Sequence, residues 1–405
     1  MSFSRAYTFR WRHRPPPVAV SDYRRLARRA LPAMPWAFLE NGAEDEITLR
    51  RNRSDFDGWQ LKQRVLTGKA GSDLTVDVVG VRLDLPVVLA PTGLNGLFHW
   101  RGEVAAAHGA ERCGTRHVSS TGASYRLDEV AGGTREAHWF QLYPWADRDV
   151  MRDLVRRASE AGIGVLLVTV DVPVVGNRER EKRVGMGTRP VLTPGRALEA
   201  LRHPRWLYGY ARHKRYTMVN FATGRGPRSA VTAAARQADF LRPDLLSWDT
   251  LRWLRDLWPG PLLVKGVMDP DDASRVMDIG CDGVVVSNHG GRQLDSQASS
   301  IDALPTVVDA TGGRGSVLID SGIRRGTDVV KALCLGADAC LIGRPYLYGL
   351  AARGEDGVVD VLRIFRREIQ TALTLMGCKS VGELDRSRIE RARGPAGTDA
   401  GEVPW

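Results

Sequence analysis

The sequence predicts an α/β fold: a (β/α)8 TIM barrel with an N-terminal helical extension and a long insertion after strand 4. Three observations support this. Eight short apolar runs recur along the chain, helical patterns lie between most of them, and polar residues stand at the C-terminal ends of the runs. The runs are near-continuous rather than alternating, as expected of strands buried on both faces of a parallel sheet. Eight strand–helix units close into a barrel, and in such barrels the chemistry sits at the C-terminal strand ends.

In chain order, residues 1–80 form the extension, and the first strand follows at Pro86–Pro91. The next strands are His117–Ser120, Trp139–Tyr143 and Val165–Asp171, with a helix over Asp147–Ala161 between the last two. The gap from Asp171 to Pro261 is too long for one helix. It holds an insertion, 185–235, and a helix over Trp248–Leu257. Strands five to eight are Pro261–Lys265, Gly283–Ser287, Ser316–Asp320 and Ala339–Gly343. Helices are predicted over Pro270–Ile279 and Gly326–Leu335, the latter stopped by Gly336. A terminal helix over 358–376 completes a barrel domain of 81–384. Residues 385–405 are a C-terminal tail, disordered from about Gly394.

Composition narrows the function. A chain of 405 residues with 43% hydrophobic and 26% charged residues suits a soluble protein with a large core. Five cysteines form neither a Cys-x-x-Cys pair nor a metal-ligand cluster, which points to a reducing cytoplasm. No run of about 18 apolar residues offers a membrane span. Arg5, Arg10, Arg12 and Arg14 precede no apolar h-region, so the N-terminus does not read as a secretory signal. The net charge of +11 (58 basic minus 47 acidic) raises nucleic-acid binding, but no recognition-helix, zinc-finger or RNP pattern supports it.

Much of the basic excess lies in the N-terminal arm and in 185–228. In the latter, Arg189, Arg196, Arg202, Arg205, Arg212, Lys214, Arg215, Arg225 and Arg228 face one acid, Glu199, among Trp206, Leu207, Tyr208, Tyr210, Met218 and Phe221. Basic residues mixed with aromatics suit peripheral contact with an anionic membrane, here the inner face of the cell membrane. A solvated loop covering the active site fits equally well.

The most informative motif is Ser287-Asn288-His289-Gly290-Gly291-Arg292-Gln293, at the end of the sixth strand. A histidine there can take a proton near neutral pH, and an arginine can hold a carboxylate through two parallel hydrogen bonds. Asp171, ending strand four, can orient the imidazole and stabilise its protonated form. Lys265 ends an apolar strand, where it either pairs with a neighbouring acid or stabilises a cofactor that becomes anionic. Asp320-Ser321-Gly322-Ile323-Arg324 and Gly343-Arg344-Pro345 look like a phosphate cradle of glycine turns and helix N-termini. No Gly-x-Gly-x-x-Gly follows the first strand and no Walker pattern appears. A phosphorylated cofactor other than a Rossmann-bound dinucleotide is indicated.

With these residues the chain resembles the FMN-dependent (S)-2-hydroxy acid dehydrogenases and oxidases, from about Ser21 to Leu384. Ser287–Gln293 matches that family's active-site signature. Pro91-Thr92-Gly93, Phe140-Gln141-Leu142-Tyr143, Thr169-Val170-Asp171, Arg178-Glu179-Arg180 and Val264-Lys265-Gly266 fall in its order. The texture of His203-Pro204-Arg205-Trp206 and of Leu347–Gly354 is nearest the mandelate dehydrogenase branch.

The resemblance implies roles. His289 would be the base, supported by Asp171, as a hydride equivalent passes to flavin N5. Arg292, Arg178 and Tyr23 would clamp the substrate carboxylate, and Tyr143 would contact its hydroxyl. Lys265 would stabilise reduced flavin. Ser120, Gln141 and Thr169 would hydrogen-bond the ring, Ser287 would contact the ribityl region, Gly322, Arg324, Gly343 and Arg344 would hold the phosphate, and Pro91, Thr92, Gly93 and Asp320 would complete the cofactor site. The resemblance also implies a homo-oligomer, a tetramer, and a quinone or oxygen as electron acceptor. Gly93 stands where many oxidases of the family carry alanine, which implies dehydrogenase behaviour. The alternatives are a peroxide-forming oxidase and a biosynthetic oxidase of a bulkier hydroxy or amino compound.

Overall fold

The chain enters the fold through helices α1 (Val20–Ala30), α2 (Ala33–Glu40) and α3 (Ile47–Ser54), strand β1 (Trp59–Leu61) and the hairpin β2 (Val76–Val78)–β3 (Val81–Leu83). This computed structural model describes residues 16–144, 147–186, 190–221 and 246–392. Eight parallel strands follow: β4 (Val87–Leu89), β5 (Val118–Ser120), β6 (Trp139–Leu142), β7 (Val165–Thr169), β8 (Leu262–Val267), β9 (Gly283–Val286), β10 (Ser316–Ile319) and β11 (Ala339–Ile342). They pair in chain order. The sheet closes where β11 pairs with β4 (Leu341↔Val88) and a Leu89↔His117 bridge joins β4 to the start of β5. The expected (β/α)8 barrel is the observed architecture.

Period-two alternation fixes what faces the barrel axis. Val88, Val118, Trp139, Val165, Leu167, Leu263, Val285, Leu318 and Leu341 form the interior cluster, and Val78 and Leu83 of the hairpin plug its N-terminal end. Their neighbours Phe140, Leu166, Val168, Val264, Val284 and Ile319 point outward against the helices. Two residues beyond the interior apolar layer, the same inward alternation reaches Ser120, Gln141, Thr169, Lys265, Ser287 and Asp320. Ladder register aligns them, with Ser120↔Gln141 and Thr169↔Lys265 as partners. Each buried Val or Leu contributes about 1.5–3 kcal/mol, and that apolar layer supports the ring of polar groups above it.

The helical layer contains α4 (Gly102–Glu111), α5 (Leu127–Ala131) and α6 (Arg148–Glu160). In the excursion after β7 lie α7 (Glu179–Arg183), α8 (Pro194–Ala200) and α9 (Pro204–His213). Then come α10 (Trp248–Leu257), α11 (Pro270–Asp278), α12 (Ser300–Thr311), α13 (Gly326–Cys334), α14 (Arg344–Arg353) and α15 (Glu355–Leu375). Local chemistry starts several of them. Asp147, Ser247 and Asp269 each accept a backbone N–H in the first turn that follows. The terminal helix begins at Glu355, three residues before the expected 358, because Gly354 breaks it from α14.

The C-terminal boundary differs from the expected one. Strand β12 (Ile389–Arg391) pairs antiparallel with β1, Leu61↔Ile389 through Trp59↔Arg391, so the residues just after 385 belong to the fold. The Arg391 guanidinium lies 4.0 Å from the Trp59 ring centroid. The disorder expected from Gly394 falls outside the described residues, as do 222–235 of the insertion and Arg189, Arg225 and Arg228.

The described part of the insertion folds back over the C-terminal end of the barrel. Glu199 accepts the Ala33 N–H at 2.8 Å, Trp206 Nε1 donates to Leu97 O at 2.7 Å, and Val219 N donates to Ala123 O at 3.0 Å. Arg215 pairs with Glu129 at 2.9 Å. The insertion is therefore tied to the extension and to the loops after β4 and β5.

Candidate active site

A cavity of about 880 Å³ opens at the C-terminal strand ends, with walls from the strand-end loops, α2 and the insertion. Pro91, Thr92, Gly93, Ser120, Tyr143, Thr169, Arg178, Lys265, His289, Arg292, Asp320, Gly322, Arg324, Gly343 and Arg344 all line it. Residues spread over more than 250 positions thus meet in one place.

His289 is held in a left-handed conformation, φ +59°, which costs a non-glycine residue about 1 kcal/mol or more. Its Nδ1 lies 3.0 Å from Asp171 Oδ1. Asp171 is reached this way, from behind the wall rather than on it. Gly266 makes room for the pair. At φ +104° it lies so close to Asp171 that an added Cβ would stand 2.6 Å from the Asp171 Cβ. Burial works to raise the Asp171 carboxyl, but His289 and Lys265 outweigh it and hold the group below its usual range. Burial also depresses the His289 imidazole, and Asp171 only partly offsets this. At neutral pH the pair is therefore a carboxylate and a neutral imidazole. Nδ1–H points at Asp171, which leaves Nε2 as a proton acceptor.

Lys265 pairs with Asp320 at 3.0 Å and donates to Ser287 Oγ at 2.7 Å. The bland alternative of a paired lysine is thus realised, yet the residue also lines the cavity. Burial lowers its pKa and Asp320 and Asp171 raise it; the acids prevail, so the ammonium stays charged. Ser287 lies beneath Lys265, where its Oγ also accepts the His289 N–H at 3.1 Å. Burial and the Asp171 charge push the Tyr143 phenol up, which keeps it a donor.

The carboxylate end is more constrained than the sequence suggests. Arg292 Nη1 donates to Phe38 O at 2.7 Å and to the Asn41 side chain, and Nη2 donates to Glu181 at 2.9 Å. The expected open fork is partly occupied, leaving fewer N–H groups for a ligand. Arg178 adjoins it, donating to Arg292 O at 3.3 Å and Gln293 Oε1 at 3.1 Å. Burial and Arg178 push Arg292 down to about 9, which still leaves it charged at neutral pH.

Gly322 (φ +85°) packs so closely on Asn52 O that no Cβ fits, which brings its backbone to the wall. Arg324 is part-buried there and lowered by that burial, with one N–H on Ile323 O at 2.9 Å. Arg344 donates to the carbonyls of Leu39, Gly290 and Asn41.

Two orphaned polar groups report on what the cavity takes. Gln141 is 1% exposed; its Oε1 accepts from Ser120 Oγ at 2.9 Å, while its Nε2 has no partner. Thr169 Oγ1, in the same ring, has none either. Buried polar atoms left unpaired call for a ligand or water. A planar ring with a polar edge at Gln141 and Thr169, cationic Lys265 beside it, and an anionic tail toward Arg324 and Gly322 would satisfy this set. FMN has that form.

One assignment is corrected. Tyr23 is 1% exposed on α1 and its hydroxyl donates to Asp360 on α15, so it cannot reach a ligand in the cavity. The aromatic wall at the carboxylate end is Phe38, whose ring centroid lies 5.1 Å from the Arg292 guanidinium carbon. The sequence reading missed Glu181 as a wall residue, while Trp206 and Tyr210, named there in a stretch that could cover the active site, do line the cavity. Glu181 stands three residues after Arg178, a one-turn spacing that could have flagged it.

Comparison with known proteins identifies the family. The family model for FMN-dependent dehydrogenase matches residues 27–391. The chain is 41% identical over 377 residues to L-lactate dehydrogenase of Pseudomonas aeruginosa, covering 93% of this chain and 99% of the relative. It is 40% identical over 372 residues to L-lactate dehydrogenase of Vibrio cholerae, covering 92% and 98%. Among solved structures, the monotopic membrane protein (S)-mandelate dehydrogenase superposes with a TM-score of 0.88 at 39% identity, covering 93% of this chain and all of that one. Mandelate oxidase superposes with a TM-score of 0.78 at 34% identity, covering 94% and 100%. With the family model spanning the whole barrel, the chain belongs to the FMN-dependent dehydrogenase family.

Proposed function

We propose that this protein oxidises an (S)-2-hydroxy acid with a bulky apolar side chain to the 2-oxo acid and passes the electrons to a membrane quinone. The observation that supports the chemistry most directly is the Asp171–His289 pair on the same wall as Arg178 and Arg292. A carboxylate bound at the two arginines would share the cavity with His289 and the Tyr143 phenol. FMN, when bound, supplies the two-electron acceptor. Ser120, Gln141 and Thr169 would hold its ring edge, Pro91, Thr92 and Gly93 its face, Lys265 its anionic side, and Gly322, Arg324, Gly343 and Arg344 its phosphate. His289 takes a proton from the substrate, and Asp171 stabilises the imidazolium that results.

The substrate class follows from the remaining wall. Leu97, Phe98, Trp206, Leu207, Tyr210 and Met218 line the cavity, an apolar chamber that a methyl group would leave mostly unfilled. Anaerobic mixing of the flavin-loaded protein with (S)-mandelate should bleach the flavin, and kcat/KM for (S)-mandelate should exceed that for (S)-lactate by at least about tenfold. No bleaching by any (S)-2-hydroxy acid would reject the chemistry. Equal efficiency on lactate would reject the side-chain class. Rapid reoxidation in air would favour oxygen over quinone as acceptor.

The acceptor reading rests on the outer face of α8 and α9. Leu192 (79% exposed), Tyr208 (69%), Leu198 and Leu201 project beside Arg202, Arg205 and Arg212, while the same segment roofs the cavity. No helix among the described residues is long and apolar enough to cross a membrane. This face suits an anionic bilayer surface. The protein should sediment with phosphatidylglycerol vesicles, less so at high salt, and not with phosphatidylcholine vesicles. Recovery with neither kind of vesicle would remove the membrane reading.

A further inference from the structure

Glu181 is 8% exposed on α7 and faces the cavity. Its Oε1 accepts from Arg292 Nη2 at 2.9 Å and from Asn41 Nδ2 at 2.6 Å. The Asn41 side-chain oxygen in turn accepts from Arg292 Nη1, as does Phe38 O at 2.7 Å, and the Phe38 ring adjoins the guanidinium. Two segments distant in sequence, the end of α2 and helix α7, therefore converge on a guanidinium carried by the loop after β9. A free arginine side chain loses rotamer entropy when it is fixed, and any group that fixes it beforehand spares the ligand that cost. Arg178 adjoins Arg292 through its carbonyl, so two cations share this wall, and Glu181 is the anion paired with Arg292.

We propose that Glu181 is a positioning residue for substrate binding: it holds the Arg292 guanidinium in one orientation across the cavity wall, so that its remaining N–H groups meet the substrate carboxylate. The proposal rests on the reading of Arg292 as the carboxylate clamp. Glu181 acts through Arg292 and stays outside the chemical step. Such a role affects ground state and transition state alike, which separates KM from kcat.

The test compares flavin-loaded wild type, Glu181→Ala and Glu181→Gln, with FMN content measured for each. Two quantities are read: steady-state constants for (S)-mandelate, and the Kd of the unreactive 2-oxo acid benzoylformate from the flavin difference spectrum. Glu181→Ala should raise KM and Kd together by about 10- to 100-fold, the loss of a hydrogen bond to a charged group. Its kcat should stay within about threefold of wild type. Glu181→Gln, whose amide oxygen accepts the same two bonds, should restore both constants to within about threefold. Unchanged KM and Kd in Glu181→Ala would overturn the proposal, as would a fall in kcat at constant KM. Asn41→Ala removes another anchor of the same guanidinium and should move both constants in the same direction, which keeps the test open if Glu181→Ala does not fold. The Kd ratio needs no turnover, so a wild type that no hydroxy acid bleaches would reject the substrate reading while Glu181 is still judged.

Discussion

Replacing His289 by alanine should leave FMN bound and lower the rate of flavin bleaching by about 10²- to 10⁴-fold, the usual contribution of a positioned base. FMN retention is expected because His289 meets Asp171 and the cavity rather than the phosphate end. The pH profile should identify the group independently. The neutral imidazole is the active form, and burial depresses its pKa below the ordinary 6.5. Activity governed by this group should therefore hold as pH falls to about 6.5 and decline only below it, as the base is protonated. Asp171→Asn removes the charge that opposes this depression and the acceptor that fixes the Nδ1–H tautomer. It should move the acidic limb to still lower pH and cut turnover severely. Full bleaching by His289→Ala, or an acidic limb well above 6.5, would reject the assignment.

Lys265→Ala should be the most destabilising change in the site. The Lys265–Asp320 pair is buried, and removing the cation leaves a carboxylate without its counter-charge at a cost of about 3–5 kcal/mol. The variant should melt well below wild type in the apo form and retain FMN poorly. The double variant Lys265→Met, Asp320→Asn removes both charges at nearly constant volume and should recover most of the stability, but not turnover. Thermal unfolding of the apo proteins together with bleaching of the reconstituted ones separates the two effects. An unchanged melting temperature in Lys265→Ala would show that the pair contributes little. Restored turnover in the double variant would show that the ammonium has no part in the chemistry.

The barrel was legible because its strands are buried on both faces. A run such as Val165-Leu166-Leu167-Val168 has no polar residue to obscure it, and β7 lies where that run stands. The polar ring was legible for a related reason, since every member but Ser120, which follows Ser119, is the first hydrophilic residue after an apolar run, and alternation turns it inward. Long-range assembly was not legible. Tyr23 carries a tempting phenol, but α1 has one apolar face and packs that residue inward. Phe38, Glu181 and Trp206 come from the extension and the excursion, whose docking depends on single contacts such as Glu199 to Ala33. Partial occupation of the Arg292 fork depends on Asn41, some 250 residues away. Strands β1 and β12 escaped because each has three residues and their partnership spans most of the chain.

That last pairing sets a timetable. Trp59 leaves the ribosome 332 residues before its partner Arg391 (391 minus 59). At typical rates of synthesis the delay is roughly 20–60 s. The barrel itself cannot close until Ile342 is available for Leu89. During this interval the edge of β1 and the inward face of the half-built sheet lie open to other chains. Closure of the ring and attachment of its last strand are both events of the final stretch of translation, and the polar groups that would grip the flavin phosphate, Arg324 and Arg344, emerge in that same stretch. The strand that closes the ring and the arginines expected at the flavin phosphate thus become available together, late in synthesis.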